Sequence, residues 1–378
     1  MKSLDQPTNG NRHVRDAIVM SGWGWEMSGL VERLALAISI LGGKVLYCEN
    51  PVSRFRGRGR TLEKVTNGVF RFGPEFLGHR LNRLPLGFSQ FQARMVTSQV
   101  LETASRLSLR DPLFIYAWGD FMVSVCREFR RKGFPAVHCC FDYPEPGQDK
   151  HVELSGLTLT ISKTVFHQLK AKYGEKIALI PEVRWASDPC REAVAPTSAG
   201  AEFAAIPRPR LGYIGQVSDR LNLRVLEKVL LAHPDWQFLH FDPAKCLPLP
   251  NVHAISWREP EKLKDVVANL DVGFMPYDCY SNKNFHCLPI KLFDYFCAGL
   301  PVVSTPIVNL WEFSDTIYFG DDADQLGRAI QLALDEPPDS PLKLKRMAIA
   351  RTNSIETLAN VLADVLPSCE KTSNVAAV

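Results

Sequence analysis

No apolar run in this 378-residue chain reaches the roughly 18–20 residues that a membrane-spanning helix needs. The stretch from Met1 to Arg15 is polar and has no apolar centre, so the sequence predicts no secretory leader. Ten cysteines include no Cys-x-x-Cys pair; Cys139 and Cys140 adjoin, and the others are scattered among apolar neighbours. Thiols in that pattern behave as small buried hydrophobes in a reducing compartment, which argues against a disulfide framework or a zinc site and for a cytoplasmic protein. Nor does a paired Asp-x-Asp stand in a metal-binding context, because Asp321-Asp322 opens a helix, where acids serve as caps. Short-period repeats and low-complexity tracts are absent, so no solenoid is expected.

What is present suits two domains of about 150–200 residues each, with 46% hydrophobic residues. The formal net charge of +3 hides an asymmetry. Residues 1–110 hold 16 Lys/Arg against 8 Asp/Glu, leaving 28 against 33 in the remainder. The excess is densest from Arg54 to Arg60 and continues through Arg71, Arg80 and Arg83. A basic 54–83 region suits an anionic membrane surface or a phosphorylated acceptor, the plainer alternative being a solvated loop. Nucleic acid ranks last, since no reader motif accompanies the charge.

Strands and helices alternate along the first half. Asp16–Met20 and Gly43–Glu49 read as strands around a helix over Gly29–Leu41. The intervening loop resembles a dinucleotide fingerprint only in outline, because Trp23, Trp25 and Met27 crowd the places a pyrophosphate would occupy. One strand is expected at Val65–Phe72, a helix at Phe88–Leu107, then strands at Leu113–Trp118, Ala136–Phe141, Leu157–Ile161 and Lys176–Pro181. Ser162 and Gly174 are the expected caps of a further helix. With no hairpin signal noted, the pattern predicts an α/β fold with parallel, doubly wound sheets. The expected domains are 1–185, a proline-containing linker at 186–209, and 210–345. A helical stretch near 346–366 and a frayed tail at 367–378 follow.

The second half centres on Leu288 to Val303. Pro289 suits a first helical turn, and Gly299 with Pro301 ends the helix. Ile290, Phe293, Phe296 and Cys297 make one face apolar, while Lys291 and Asp294 project together. Free first-turn amides and Lys291 suit phosphates there, and Asp294 suits ribose hydroxyls. An ordinary amphipathic helix with a surface ion pair explains those residues equally well.

The run Pro-x-Lys-Leu-x-Asp-Tyr-x-x-Ala-Gly-x-Pro-Val-Val, read from Pro289 to Val303, resembles the donor-site signature of GT-B nucleotide-sugar glycosyltransferases. It is most similar to bacterial polysaccharide enzymes of the teichuronic acid biosynthesis type. The resemblance implies two Rossmann-like domains facing a cleft, with a C-terminal helix crossing back to the first. It also implies a nucleotide-diphosphate sugar donor held by the second domain, with no obligatory metal or other cofactor. Many relatives carry two glutamates here; Asp294 matches the second, but His286 stands at the first. Donor sugar, base, acceptor, stereochemistry and oligomeric state stay open.

The resemblance places Gly215 at a close-approach position beside the donor, with Arg220 and Lys291 on the phosphates. Asn222 stands where an aspartate is usual. Ile290 and Asp294 lie on the donor side. Asn282, Asn284 and His286 share one loop as candidates for sugar or diphosphate contacts, and Trp257 and Tyr277 for flanking the base. If the reaction inverts the anomeric centre, a base must take the acceptor proton, and Asp142, after its strand, is the first candidate, with Asp120 second. The resemblance implies that Trp23, Trp25 and Glu26 meet the acceptor, although tryptophans fill cores equally often. The expected activity is transfer of a sugar to a glycan or lipid-linked acceptor, by a cytoplasmic protein peripheral to the inner membrane face. A non-catalytic nucleotide-sugar-binding subunit and a GT-B sugar-nucleotide epimerase are the alternatives.

Overall fold

The computed structural model describes residues 14–21, 29–56, 61–78, 87–117, 119–141, 147–183, 203, 205–215, 217–241, 247–255 and 263–367. The described residues fall into two compact units. One lies within Met1–Cys139, Asp149–Thr158 and Ala359–Val378, the other within Cys140–Gln148 and Leu159–Leu358.

Among the described residues ten strands precede residue 180: β1 (Ala17–Met20), β2 (Val45–Cys48), β3 (Val52–Ser53), β4 (Leu62–Thr66), β5 (Val69–Phe72), β6 (Glu75–Phe76), β7 (Leu113–Tyr116), β8 (Ala136–Cys139), β9 (Leu157–Thr160) and β10 (Ile177–Leu179). Eight of them form a sheet in the order β10-β9-β8-β7-β1-β2-β5-β4, and β3 pairs with β6 apart from it. β1, β2, β7 and β8 are buried along their whole length, as expected of strands covered on both faces. The helices described with them are α1 (Leu30–Ile40), α2 (Phe88–Arg106), α3 (Asp120–Arg131), α4 (Gln148–Leu154) and α5 (Lys163–Tyr173). In α3 the residues Met122, Val125, Cys126 and Phe129 face the core, where the Phe129 ring stacks on Phe114 at 3.9 Å between centroids. Ser162 caps α5 by accepting from the Val165 amide, and Gly174 ends it with a φ of +58°.

The expected single strand at 65–72 is instead a hairpin, with β4 antiparallel to β5. Asn67-Gly68 makes the turn, and Gly68 holds a φ of +80°. Only the second place is left-handed here, and glycine takes that conformation without the clash of a Cβ.

The second sheet is built from β11 (Arg210–Tyr213), β12 (Gln237–His240), β13 (Val252–Ala254), β14 (Val272–Met275), β15 (Val302–Ser304) and β16 (Ile317–Phe319). Its order is β13-β12-β11-β14-β15-β16, and every pairing is parallel. The order reverses between β11 and β14, and open α/β sheets bind ligands outside the carboxyl ends of strands at such a point. Helices α6 (Leu223–Ala232), α7 (Leu263–Val267), α8 (Asn282–Phe285), α9 (Lys291–Cys297), α10 (Ala323–Leu334), α11 (Pro341–Thr352) and α12 (Ile355–Val365) complete the chain.

The expected terminal helical stretch is two helices, broken at Asn353-Ser354. The Asn353 side chain donates through Nδ2 to the Glu182 carbonyl at 2.7 Å, and the Ser354 hydroxyl accepts from the Thr357 backbone amide. Both side chains compete with the helical ladder, which is why such residues suit helix ends. Most of the expected 186–209 linker and nearly all of the expected tail lie outside the described residues.

Candidate functional site

At the switch point the chain leaves β11 through Tyr213-Ile214-Gly215 and leaves β14 through Pro276-Tyr277. The strand end is fixed from α9: the Tyr295 hydroxyl donates to the Gly212 carbonyl at 2.8 Å and accepts from the Ile214 amide at 2.9 Å. Gly212 and Gly273 are small for packing reasons, since a Cβ would lie 2.2 Å from Leu270 in one case and 2.6 Å from the Tyr295 ring in the other. Lys291, the first residue of α9, turns back over this edge. Its Nζ donates to Tyr277 Oη at 2.9 Å and to Tyr213 Oη at 3.4 Å, and lies 4.5 Å from the Tyr213 ring centre.

Gly215 makes room for that arrangement. A Cβ there would sit 3.0 Å from Tyr213 Cε1 and 3.2 Å from Lys291 Cε. At the glycine expected to spare a donor, a Cβ would crowd the protein's own lysine.

Arg220 belongs to the same loop cluster. Its carbonyl accepts from the Asp278 amide at 2.8 Å and from Asn284 Nδ2 at 2.7 Å, while Asn284 Nδ2 also donates to the Asp278 carbonyl. Leu221 bridges Tyr277, and the Asn222 amide donates to the Pro276 carbonyl. An outer ion pair joins Lys283 to Asp219 at 2.6 Å, and the ammonium holds that exposed carboxyl below its ordinary range. The segment 277–284 thus touches both residues: Arg220 at its backbone carbonyl, and the Lys291 ammonium through the Tyr277 phenol.

Other expected site residues do different work. The Asn222 side chain accepts from the Val225 amide and caps α6, so its oxygen is engaged within the protein. Tyr277 is 1% exposed and offers no ring face for a base to stack on. Asn282 is exposed at the start of α8, whereas Asn284 is fully buried and makes the backbone contacts. Sequence reading named that asparagine pair but not which one the fold would use. Ile290 is the half-buried residue before α9. The amides of Leu292 and Phe293 are taken by the carbonyls of Pro289 and Ile290, so those two first-turn donors are not available to phosphate. Asp294 is half-buried on α9.

His286 shares a polar cluster with α5. Its Nδ1 lies 3.0 Å from Thr164 Oγ1, and Asn309 Nδ2 donates to Ser162, Thr164 and the Cys287 carbonyl. Burial lowers the His286 pKa, favouring the neutral ring. In the first unit, Asp120 opens α3 and is exposed. Trp23, Trp25, Glu26, Asp142 and Trp257 lie outside the described residues. No group of three His, Cys, Asp or Glu side chains that could hold a metal ion occurs among the described residues.

No family model matches the sequence. A stretch of 155 residues is 30% identical to TuaH of Bacillus subtilis strain 168, which bears the name of a teichuronic acid biosynthesis glycosyltransferase. That match covers 38% of this chain and 39% of TuaH, well under half of either protein. Solved structures match far more of the length. A sucrose-phosphate synthase from Thermosynechococcus elongatus is 14% identical with a TM-score of 0.68, over 93% of this chain and 98% of that one. The UDP-forming α,α-trehalose-phosphate synthase of Burkholderia xenovorans, in complex with glucose-6-phosphate, is 13% identical with a TM-score of 0.67, over 93% and 100%. An E. coli trehalose-6-phosphate protein bound with UDP-2-fluoro glucose is 11% identical with a TM-score of 0.65, over 93% and 99%. An all-parallel second sheet and a first sheet that carries one antiparallel hairpin at its edge, together with these likenesses, give the chain the GT-B glycosyltransferase fold.

Proposed function

We propose that the protein moves a sugar from a nucleotide-diphosphate donor to a glycan or lipid-linked acceptor in polysaccharide biosynthesis. The reading rests above all on one observation: the Lys291 ammonium lies at the carboxyl edge of the β11/β14 switch point, held over Gly215 by two tyrosines. The same segment that holds Lys291 carries the backbone contacts of Arg220. As the bond between the anomeric carbon and the diphosphate oxygen breaks, negative charge grows on the leaving group. Fixed cations lower that barrier more than they favour the resting donor.

In this reading Lys291 and Arg220 neutralise the diphosphate, and the reaction requires no metal. Asp142 takes the acceptor proton if configuration is inverted, and orients acceptor hydroxyls if it is retained. Support for glycosyl transfer comes also from the name of TuaH and from the UDP-2-fluoro glucose and glucose-6-phosphate of the structural neighbours. A thermal-shift panel of UDP-, GDP-, dTDP- and ADP-sugars tests the donor. One class should raise the melting temperature, and product analysis should then show sugar transferred or the donor slowly hydrolysed. Binding without turnover across several acceptors points to a binding subunit, and conversion of the donor without any acceptor points to an epimerase.

A lipid-linked acceptor places the protein at an anionic membrane face. No helix among the described residues is long and apolar enough to cross a membrane. Phe55 is 81% exposed on the short turn Arg54–Arg56, next to the exposed Arg54, which suits shallow contact with headgroups. Vesicles with anionic lipid should retain the protein at low salt and release it at high salt. Failure to bind such vesicles at low salt removes the membrane part of the proposal.

A further inference from the structure

Lysine has a long flexible stem, and one at the start of a half-exposed helix usually samples many rotamers. Lys291 instead enters a socket. Tyr277 and Tyr213 are 1% and 4% exposed, and their rings meet edge to face with centroids 6.2 Å apart. Both phenol oxygens accept from the ammonium, at 2.9 and 3.4 Å, and the Tyr213 ring lies beneath it. Gly215 forms the remaining wall, where a Cβ would crowd Lys291 Cε. The ammonium's third N–H makes no hydrogen bond to a described residue.

The chemistry of the socket matters as much as its shape. A carboxylate partner would hold the lysine equally well but would cancel its charge. A phenol accepts the hydrogen bond and stays neutral, and burial of Tyr277 disfavours its ionisation further. The lysine is thereby held by neutral partners, with no carboxylate hydrogen-bonded to its ammonium among the described residues.

We propose that Tyr213 and Tyr277 are positioning residues that fix the Lys291 ammonium before a diphosphate arrives, so that binding need not order it. The proposal rests on the reading of this site as one for a nucleotide diphosphate. Preorganised charge is worth more than charge that must be gathered at the moment of reaction.

The test uses calorimetric titration of the full chain with UDP, GDP, dTDP and ADP, and with the four matching nucleosides. Tyr277→Phe keeps the ring and removes only the hydroxyl. It should weaken the diphosphate that the wild type binds by about tenfold, the scale of one hydrogen bond to a charged group. The nucleoside should bind as before, and in a Lys291→Ala background the tyrosine change should have no further effect. Equal weakening of nucleoside and diphosphate, or the same loss without Lys291, overturns the proposal. A second measurement needs no nucleotide: acetylation of Lys291 by acetic anhydride, followed by peptide mass spectrometry. Tyr277→Phe should speed that modification several-fold, and an unchanged rate overturns the proposal even where nucleotide binding is intact. If no diphosphate binds while acetylation is still faster, the donor-site reading falls and the restraint on Lys291 is supported.

Discussion

Single side chains decide how the candidate site is held, and Asn284 shows how far sequence reading reached. It is fully buried, and its Nδ2 joins the Arg220 and Asp278 carbonyls. Asn284→Leu should remove one of two donors from each carbonyl, the Asp278 and Ser281 amides remaining, and the two lost hydrogen bonds should cost about 1–3 kcal/mol, read as a lower urea midpoint at unchanged m-value. A midpoint equal to the wild type would show that neither hydrogen bond contributes. Lys291 was legible in the sequence because its charge stands inside a short pattern with Pro289 and Gly299. Tyr213 was not, and Asn284 was named for sugar contacts and not for the backbone it holds, because their partners lie 78 and 64 residues away. Only the fold brings such pairs together. Tyr277 was expected to flank a base, whereas the fold buries it beneath Lys291, since a local sequence does not tell a buried ring from a ligand-facing one.

Elements were legible where hydrophobic period and caps agreed. The left-handed φ of +68° at Gly299 ends α9 where Gly-Leu-Pro in the sequence placed the stop. The amphipathic stretch near the C-terminus concealed its break, because Asn353 acts through Glu182, a residue remote in sequence. The end of α9 is also clasped from outside by α11. Arg346 is fully buried, donates to the Gly299 carbonyl at 3.1 Å and pairs with the buried Glu336. Glu336 also accepts from the Tyr318 hydroxyl, whose pKa is pushed up to about 12 by burial and by that carboxylate. Removing one partner strands a buried charge, so Glu336→Gln should destabilise by about 3–5 kcal/mol in urea unfolding. A loss under about 1 kcal/mol would mean the pair behaves like a solvated one. Gly299→Ala should add a smaller loss, because a Cβ there meets the Lys343 stem at 2.6 Å and the backbone is left-handed.

For the whole molecule, the first unit sets an acid limit on stability. His138 is fully buried, and its ring stacks on that of His151 at 5.0 Å. Burial lowers both pKa values; for His138 the neighbouring His151 adds to the effect, and for His151 Asp120 opposes it. The unfolded chain therefore binds protons below its ordinary value of 6.5 that the folded chain refuses. Stability is complete above that value and falls as pH drops through it, by up to about 1.4 kcal/mol per unit for each histidine. His138→Leu should flatten the slope between pH 7.5 and 5.5 in urea unfolding, and an unchanged slope would assign the acid loss to other groups. The central claim concerns the second unit, where Lys291 answers the charge of a departing diphosphate. Its most direct test is single-turnover cleavage of the donor sugar nucleotide by wild type and Lys291→Ala, with folding checked by urea midpoint. The account predicts a rate lower by about 10²–10³ with little change in midpoint, the scale of one lost charge-stabilising donor. Cleavage within twofold of wild type would contradict it.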